Sequence, residues 1–171
     1  MSFCQNLFST FIAVLFGFIF SIFLFYLTGK WAKRAQKKSL EKNLIKEFEF
    51  NNEYLKKIIA DLNKVIEKIT VNDKEVFIFF NYLNYQRLFI STYFQQGYLY
   101  EKLEPAEINI IDAILNQMSV TGQNYINNSI ESWKGGQLSQ AQIMKILGFE
   151  RDYIETNIRS LAGMEKKIIG K

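Results

Sequence analysis

The sequence predicts an all-α protein: one N-terminal transmembrane helix followed by a cytoplasmic antiparallel helical bundle of four or five helices. Three observations carry this. Residues 7–27 are uncharged and strongly apolar. No Gly or Pro occurs between Lys30 and Gln96, which favours long helices over a turn-rich architecture. Apolar residues then recur at spacings of three, four and seven through most of the chain. The domain organisation that follows is 1–29 as N-terminal tail and transmembrane anchor, 30–42 as basic juxtamembrane segment, and 43–171 as cytoplasmic helical domain.

The anchor rests on length and composition. Fifteen of the 21 residues from Leu7 to Leu27 are Leu, Ile, Val or Phe. At 1.5 Å per residue such a run crosses a hydrocarbon core of about 30 Å. Each of these residues near the bilayer centre favours insertion by about 0.3–0.6 kcal/mol. A cleaved signal peptide would have a basic start, a shorter apolar run and small residues at its end. Residues 1–6 carry no charge, and Tyr26-Leu27-Thr28-Gly29 is a poor cleavage site. The lone cysteine, Cys4, is read as an incidental apolar residue.

Orientation follows from charge. Lys30, Lys33, Arg34, Lys37, Lys38 and Lys42 follow the anchor, against Glu41 alone. Basic flanks stay in the cytoplasm, so the N-terminus is expected outside a bacterial inner membrane and the rest inside. Lys30, Lys33, Arg34, Lys37 and Lys38 are expected to set topology and meet lipid headgroups, with Tyr26 and Trp31 at interfacial depth. The same cluster explains the net charge of +4. The 129 residues from Asn43 onward hold 15 basic and 16 acidic side chains, which argues against nucleic acid as a partner.

In the body, Leu44, Phe48, Leu55, Ile58, Leu62, Val65 and Ile69 form a coiled-coil-like stripe, widened by Ile45, Ile59 and Ile66. Asn51 falls on the stripe and is read as an edge position in preference to a register-setting polar residue. Thr70 to Lys74 is a polar break in which Asn72 or Asp73 caps a second helix. The aromatic segment 77–100 is read as that helix, in preference to a short strand at Val76 to Phe80, with Gly97 as its left-handed cap. Glu104-Pro105-Ala106-Glu107 starts a helix whose buried face is Ile108, Ile111, Leu115, Met118, Tyr125, Ile126 and Ile130. Gly122 inside it marks a close crossing or bend. Lys134-Gly135-Gly136 ends it. Ser139 to Gln142 has capping-box spacing and opens a last region bearing Ile143, Leu147, Ile154, Ile158, Leu161 and Ile168, interrupted or capped at Gly148.

The run Phe89-Ile90-Ser91-Thr92-Tyr93, then Gly97-Tyr98-Leu99 and the Glu-Pro helix start, resembles a loose class of uncharacterised bacterial membrane-anchored α-helical proteins. The resemblance spans most of residues 40–135 in pattern. It implies a fold and brings no activity with it.

Chemistry is sparse. The chain has no histidine and one cysteine, which removes Ser-His and Cys-His nucleophile pairs and Cys/His zinc sites. No phosphate-cradling glycine motif occurs. Glu47, Glu49 and Glu53 are read as a solvated face. The expectation is therefore no enzyme, no cofactor and no metal. Tyr85, Arg87 and Tyr93 are the candidate ligand or partner surface, against the plainer reading that the aromatic segment fills a core or an interface. Ser9, Ala13, Gly17 and Ser21, spaced by four, form a small-residue stripe for anchor self-association, against chance placement.

The functional expectation is a non-catalytic membrane-tethered interaction or scaffold protein that self-associates and meets a protein partner at the cytoplasmic face. The alternatives are a membrane effector, such as a toxin or anti-phage defence component whose anchors assemble and perturb the bilayer, or a ligand sensor using segment 77–100.

The stripe yields a test. Gly17→Ile keeps the anchor insertable but fills the groove, so it should weaken pairing of residues 1–38 in a membrane two-hybrid assay. Phe18→Ile, on another face, should not. Equal signals from both would make the spacing accidental.

Overall fold

The computed structural model describes the backbone of residues 3–170 and the side chains of residues 8 and 10–170. Among the described residues there are five α-helices and no strand: α1 Phe3–Thr70, α2 Leu88–Gln95, α3 Pro105–Gln117, α4 Val120–Lys134 and α5 Gln140–Ile169. Two 3-10 turns, Tyr82–Asn84 and Tyr98–Glu101, lie between α1 and α3. The chain divides into two compact units, Met1–Leu40 and Glu41–Lys171.

The first unit is helical, and its part before Lys30 carries no charged side chain. It contains a window long and apolar enough to cross a membrane, and none of that window is buried. Phenylalanines at 8, 11, 16, 18, 20, 23 and 25 all stand exposed. Hydroxyls within it bond back to the helix, as short polar side chains do in apolar surroundings: Ser21 Oγ donates to the Gly17 carbonyl at 2.8 Å and Thr28 Oγ1 to the Leu24 carbonyl at 2.9 Å. Ala13, Gly17 and Ser21 lie open on the surface. The side chains of Cys4, Leu7 and Ser9 lie outside the described residues.

The second unit takes its core from the expected stripe. Leu44, Phe48, Leu55, Ile58, Leu62, Val65 and Ile69 are all buried, with Ile45, Ile59 and Ile66 half-buried beside them. Burying each such side chain contributes about 1.5–3 kcal/mol. α1 stops at Thr70, where Asn72 turns left-handed at φ 53°. Gln140 Nε2 reaches across to the Ile69 and Thr70 carbonyls at 2.8 and 3.0 Å, satisfying acceptors that a helix end leaves free.

Beyond Thr70 the structure departs from expectation. Asn72 and Asp73 cap no helix. Residues 74–81 are irregular, and burial alternates along them: Val76 and Phe80 are buried, Ile78 is half-buried, and Phe77 and Phe79 are exposed. The aromatic segment is therefore an extended stretch, a 3-10 turn and then α2, rather than one helix. Period-two alternation was present in Val-Phe-Ile-Phe-Phe, but every residue there is apolar, so sequence alone did not reveal it. Gly97 does adopt the left-handed conformation expected after α2, at φ 76°.

Pro105 opens α3 and Ser139 opens α5 with a Ser139–Gln142 capping box, both as expected, and a Glu104–Glu107 box, not foreseen, caps α3 as well. The long helix expected from Pro105 is in fact two. α3 ends at Gln117, Ser119 caps α4 by accepting from Gly122 N–H, and the two helices pack on each other and on α5. The break rotates the buried face. Ile114 is buried and Leu115 only half-buried, while Tyr125 is exposed. α5 passes through Gly148 without interruption, and Ile158 is half-buried, with Asn157 on the inner face in its place.

Gly122 explains why the α3–α4 corner is tight. A Cβ there would overlap the Gln117 carbonyl oxygen, part of the rigid end of α3. Gly122→Ala should therefore destabilise the full chain by roughly 1–3 kcal/mol despite the better helix propensity of alanine. Thermal melting in detergent reads this. An unchanged or raised midpoint would contradict the close approach.

Candidate functional site

The extended stretch after α1 runs against helices with no neighbouring strand, so its peptide groups need other partners. Side-chain amides supply partners at Phe80 and at two residues just beyond the stretch. Asn127 on α4 brackets Phe80, accepting from its N–H at 2.9 Å and donating to its carbonyl at 2.8 Å. Gln123, one turn earlier, accepts from Tyr82 N–H at 3.0 Å. Asn51 on α1 brackets Gln86 in the same way, at 2.8 and 2.7 Å. Tyr54 Oη also donates to the Asn81 carbonyl. At the start, Asp73 Oδ1 accepts from Glu75 N–H at 2.9 Å and its other oxygen meets Lys68. These bonds hold the Asp73 carboxyl below its usual range.

The next element is fixed by a carboxylate. Glu47 on α1 accepts from Phe89 and Ile90 N–H at 2.8 and 2.9 Å. It thus caps the N-terminus of α2, whose own cap residue, Arg87, makes no side-chain bond there. A negative group at this pole is favoured by the helix dipole. Glu47 and Asn51 are both buried, so the solvated-face reading of Glu47 and the edge reading of Asn51 are corrected. One turn apart, they form a polar notch in the apolar stripe.

A third node joins three elements. Glu150 on α5 is buried, accepting from Tyr82 Oη at 2.7 Å and from Gln117 Nε2 at 2.6 Å. No cation faces it. Burial pushes its carboxyl above the ordinary value, and the bonds from Gln117 and Tyr82 only partly oppose this. Burial, then the nearby Glu150 carboxyl, likewise pushes the Tyr82 hydroxyl up.

These nodes position a groove of about 380 Å³ between α2, the Tyr98–Glu101 turn and α3. Buried Ile90, Leu99, Ile108 and Ile111 form its floor and half-buried Leu115 its far end. Phe94 and Tyr100, both exposed, stand at the rim with ring centroids 5.7 Å apart. Asp112 is the one charged residue in the lining. It accepts a bond from Asn116 at 3.2 Å and has no ion pair among the described residues. The volume lies near the small end of ligand sites, about 300–1,000 Å³.

The candidate residues from sequence fall elsewhere. Tyr85 and Tyr93 are buried, so their rings are interior and offer no stacking face. Tyr93 Oη donates to Glu41 at 2.9 Å. Arg87 is spent on the Met118 carbonyl at the end of α3, at 3.0 Å. The groove uses other aromatics of the same segment, Phe94 and Tyr100. Lys30, Lys33, Arg34 and Lys38 are exposed, and Lys37 is half-buried. Sequence alone assigns Glu47 and Asn51 to a solvated face and an edge position, and gives Gln123, Asn127 and Glu150 no role. A helical position that breaks an apolar stripe was the available signal for the first two. Among the described residues no group of three or more His, Cys, Asp or Glu is placed to hold a metal ion.

Taken together, fold and groove define an all-helical protein with one helix long and apolar enough to cross a membrane. No protein-family model, curated protein or solved structure matches the chain.

Glu150 gives a pH prediction. Its folded-state pKa is raised, so between the unfolded and folded values the native state binds more protons. The stability it contributes is present in acid and lost as pH rises through the folded value. Glu150→Gln keeps an acceptor and cannot ionise. The native chain should therefore lose stability relative to this variant as pH rises above the ordinary carboxylate range. Asp73 and Glu107, both shifted downward, are common to both proteins and cancel in the difference. A pH-independent difference in melting temperature would refute the assignment.

Proposed function

We propose that this chain is a non-catalytic, membrane-tethered interaction protein. Its N-terminal helix anchors it in a bacterial inner membrane, with the N-terminus outside. Its helical body lies in the cytoplasm, where the α2–α3 groove meets a protein partner and copies of the chain self-associate. The observation that carries the reading is the first unit: an apolar helix whose side chains are exposed on every side. A helix that is hydrophobic all round needs an apolar medium or a buried site, and none of this one's apolar window is buried among the described residues.

Charge supports the direction. The cations at 30, 33, 34, 37 and 38 follow the apolar run, and four of the five are exposed. Basic residues within a turn or two of a span are retained on the cytoplasmic side. Binding is favoured by the groove lining, which is mainly apolar with a single carboxylate.

Topology tests the reading. A reporter active only in the cytoplasm, fused after Lys171, should be active, and the protein should resist alkaline extraction from membranes. Replacing Lys30, Lys33, Arg34, Lys37 and Lys38 together should give mixed insertion. Release into the soluble fraction would overturn the tether. Activity solely from an externally active reporter would overturn the orientation.

A further inference from the structure

The outer face of α5 carries a combination that the fold itself does not use. Phe149 is 75% exposed, the most exposed apolar side chain on any helix of the second unit. Lys145, one turn earlier on the same face, is exposed and makes no ion pair among the described residues. The other cation beside Phe149, Arg151, is held by Asp152 at 3.0 Å. Gly148 lies beside Lys145 and Phe149 on that face, and Gly163 continues it. Glycine inside a helix is destabilising, and it is normally kept where another backbone or side chain comes close. Within this chain nothing lies within 4 Å of a Cβ added at either position. Both glycines leave room for something outside the chain.

The α2–α3 groove is the complement of that face. It offers an apolar floor, an aromatic rim and a single unpaired carboxylate, Asp112. Asp112 sits four residues from Ile108 and three from Leu115, on the α3 face that lines the groove. An aromatic ring with an ammonium group one turn away matches an apolar cleft with a carboxylate at its edge, in both burial and sign of charge.

We propose that a second copy of this chain seats the Phe149–Lys145 face of its α5 in the α2–α3 groove, pairing Lys145 with Asp112. The proposal rests on the reading of the body as an interaction module and supplies its partner: another copy of itself. Phe149 fills the floor between Ile108 and Leu115, and Phe94 and Tyr100 close over it. Gly148 lets the helix approach the rim.

Charge reversal tests this in the full-length chain. Two differently tagged copies, both carrying Gly17→Ile so that the anchor stripe does not hold them together, are co-expressed, extracted in mild detergent, and co-purified through one tag. Both substituted positions are exposed, and circular dichroism checks that helicity is kept. Asp112→Lys copies should not pair with each other, because each groove then meets a like charge, and co-purification should fall roughly tenfold or more. Lys145→Asp copies should fail in the same way. A mixture of Asp112→Lys with Lys145→Asp copies should regain pairing, since every groove then meets an opposite charge. Gly148→Leu, which crowds the approach and whose Cβ meets nothing within 4 Å among the described residues, should also lose pairing.

Pairing by either single variant at the unaltered level overturns the proposal. So does loss in both without recovery in the mixture. Membrane fractionation of the same samples reads the tether separately. A protein found in the soluble fraction that still follows the charge-swap pattern would sink the anchor and leave the interface standing.

Discussion

The second unit depends on solving one problem: an extended stretch of main chain lies among helices with no strand beside it. Buried peptide groups left unpaired cost about 1–3 kcal/mol each. Asn127, Gln123 and Asn51 pair the groups at Phe80, Tyr82 and Gln86, and two of these three carboxamides bracket a residue from both sides as a neighbouring strand would. The side chains come from α1 and α4, so the stretch is stitched to two helices at once. Val76 and Phe80 then point into the core, while Phe77, 89% exposed, points away from it.

The same logic recurs at the helix ends. Each leaves donors or acceptors without intrahelical partners, and here side chains from other elements supply many of them. Glu47 caps the start of α2, Arg87 the end of α3, Lys74 the Lys134 carbonyl at the end of α4, and Gln140 the end of α1. The partners lie 31 to 71 residues apart in sequence. Because each cap joins two elements, losing one side chain loosens a helix end and a tertiary contact together. The groove inherits its geometry from this arrangement, since Glu47 and Arg87 set the placement of α2 and the end of α3, which flank it.

Polar groups in the interior are handled unevenly. Glu150 is satisfied by Tyr82 and Gln117, yet its carboxyl has no counterion among the described residues, and burial favours its neutral form. Asn157, 4% exposed on the same face of α5, has no partner for its Nδ2 group among the described residues. A buried face with such residues gives up some stability relative to an apolar one, and in exchange its hydrogen-bond geometry admits few alternative packings. The outer face of α5 is organised in the opposite way, with an exposed aromatic ring, an unpaired cation and two glycines that no internal contact requires.

Sequence by itself determined the features that depend on neighbours along the chain. The apolar run, the stripe from Leu44 to Ile69, the Pro105 and Ser139 starts, and the left-handed Gly97 are local: period, capping chemistry and steric freedom decide them. Tertiary structure alone decided the rest. Val76 to Phe80 is apolar throughout, so its helical or extended state turned on whether Asn127 was at hand to pair the Phe80 peptides and Gln123 to hold Tyr82 just beyond. The Met118–Ser119 break turned on how closely Gly122 meets Gln117. Glu47, Asn51 and Glu150 are ordinary polar residues in sequence and acquire their roles from partners 33 to 68 residues away. A hydrogen bond between distant residues leaves no periodic trace, because its energy depends on a geometry that exists only once the chain has folded.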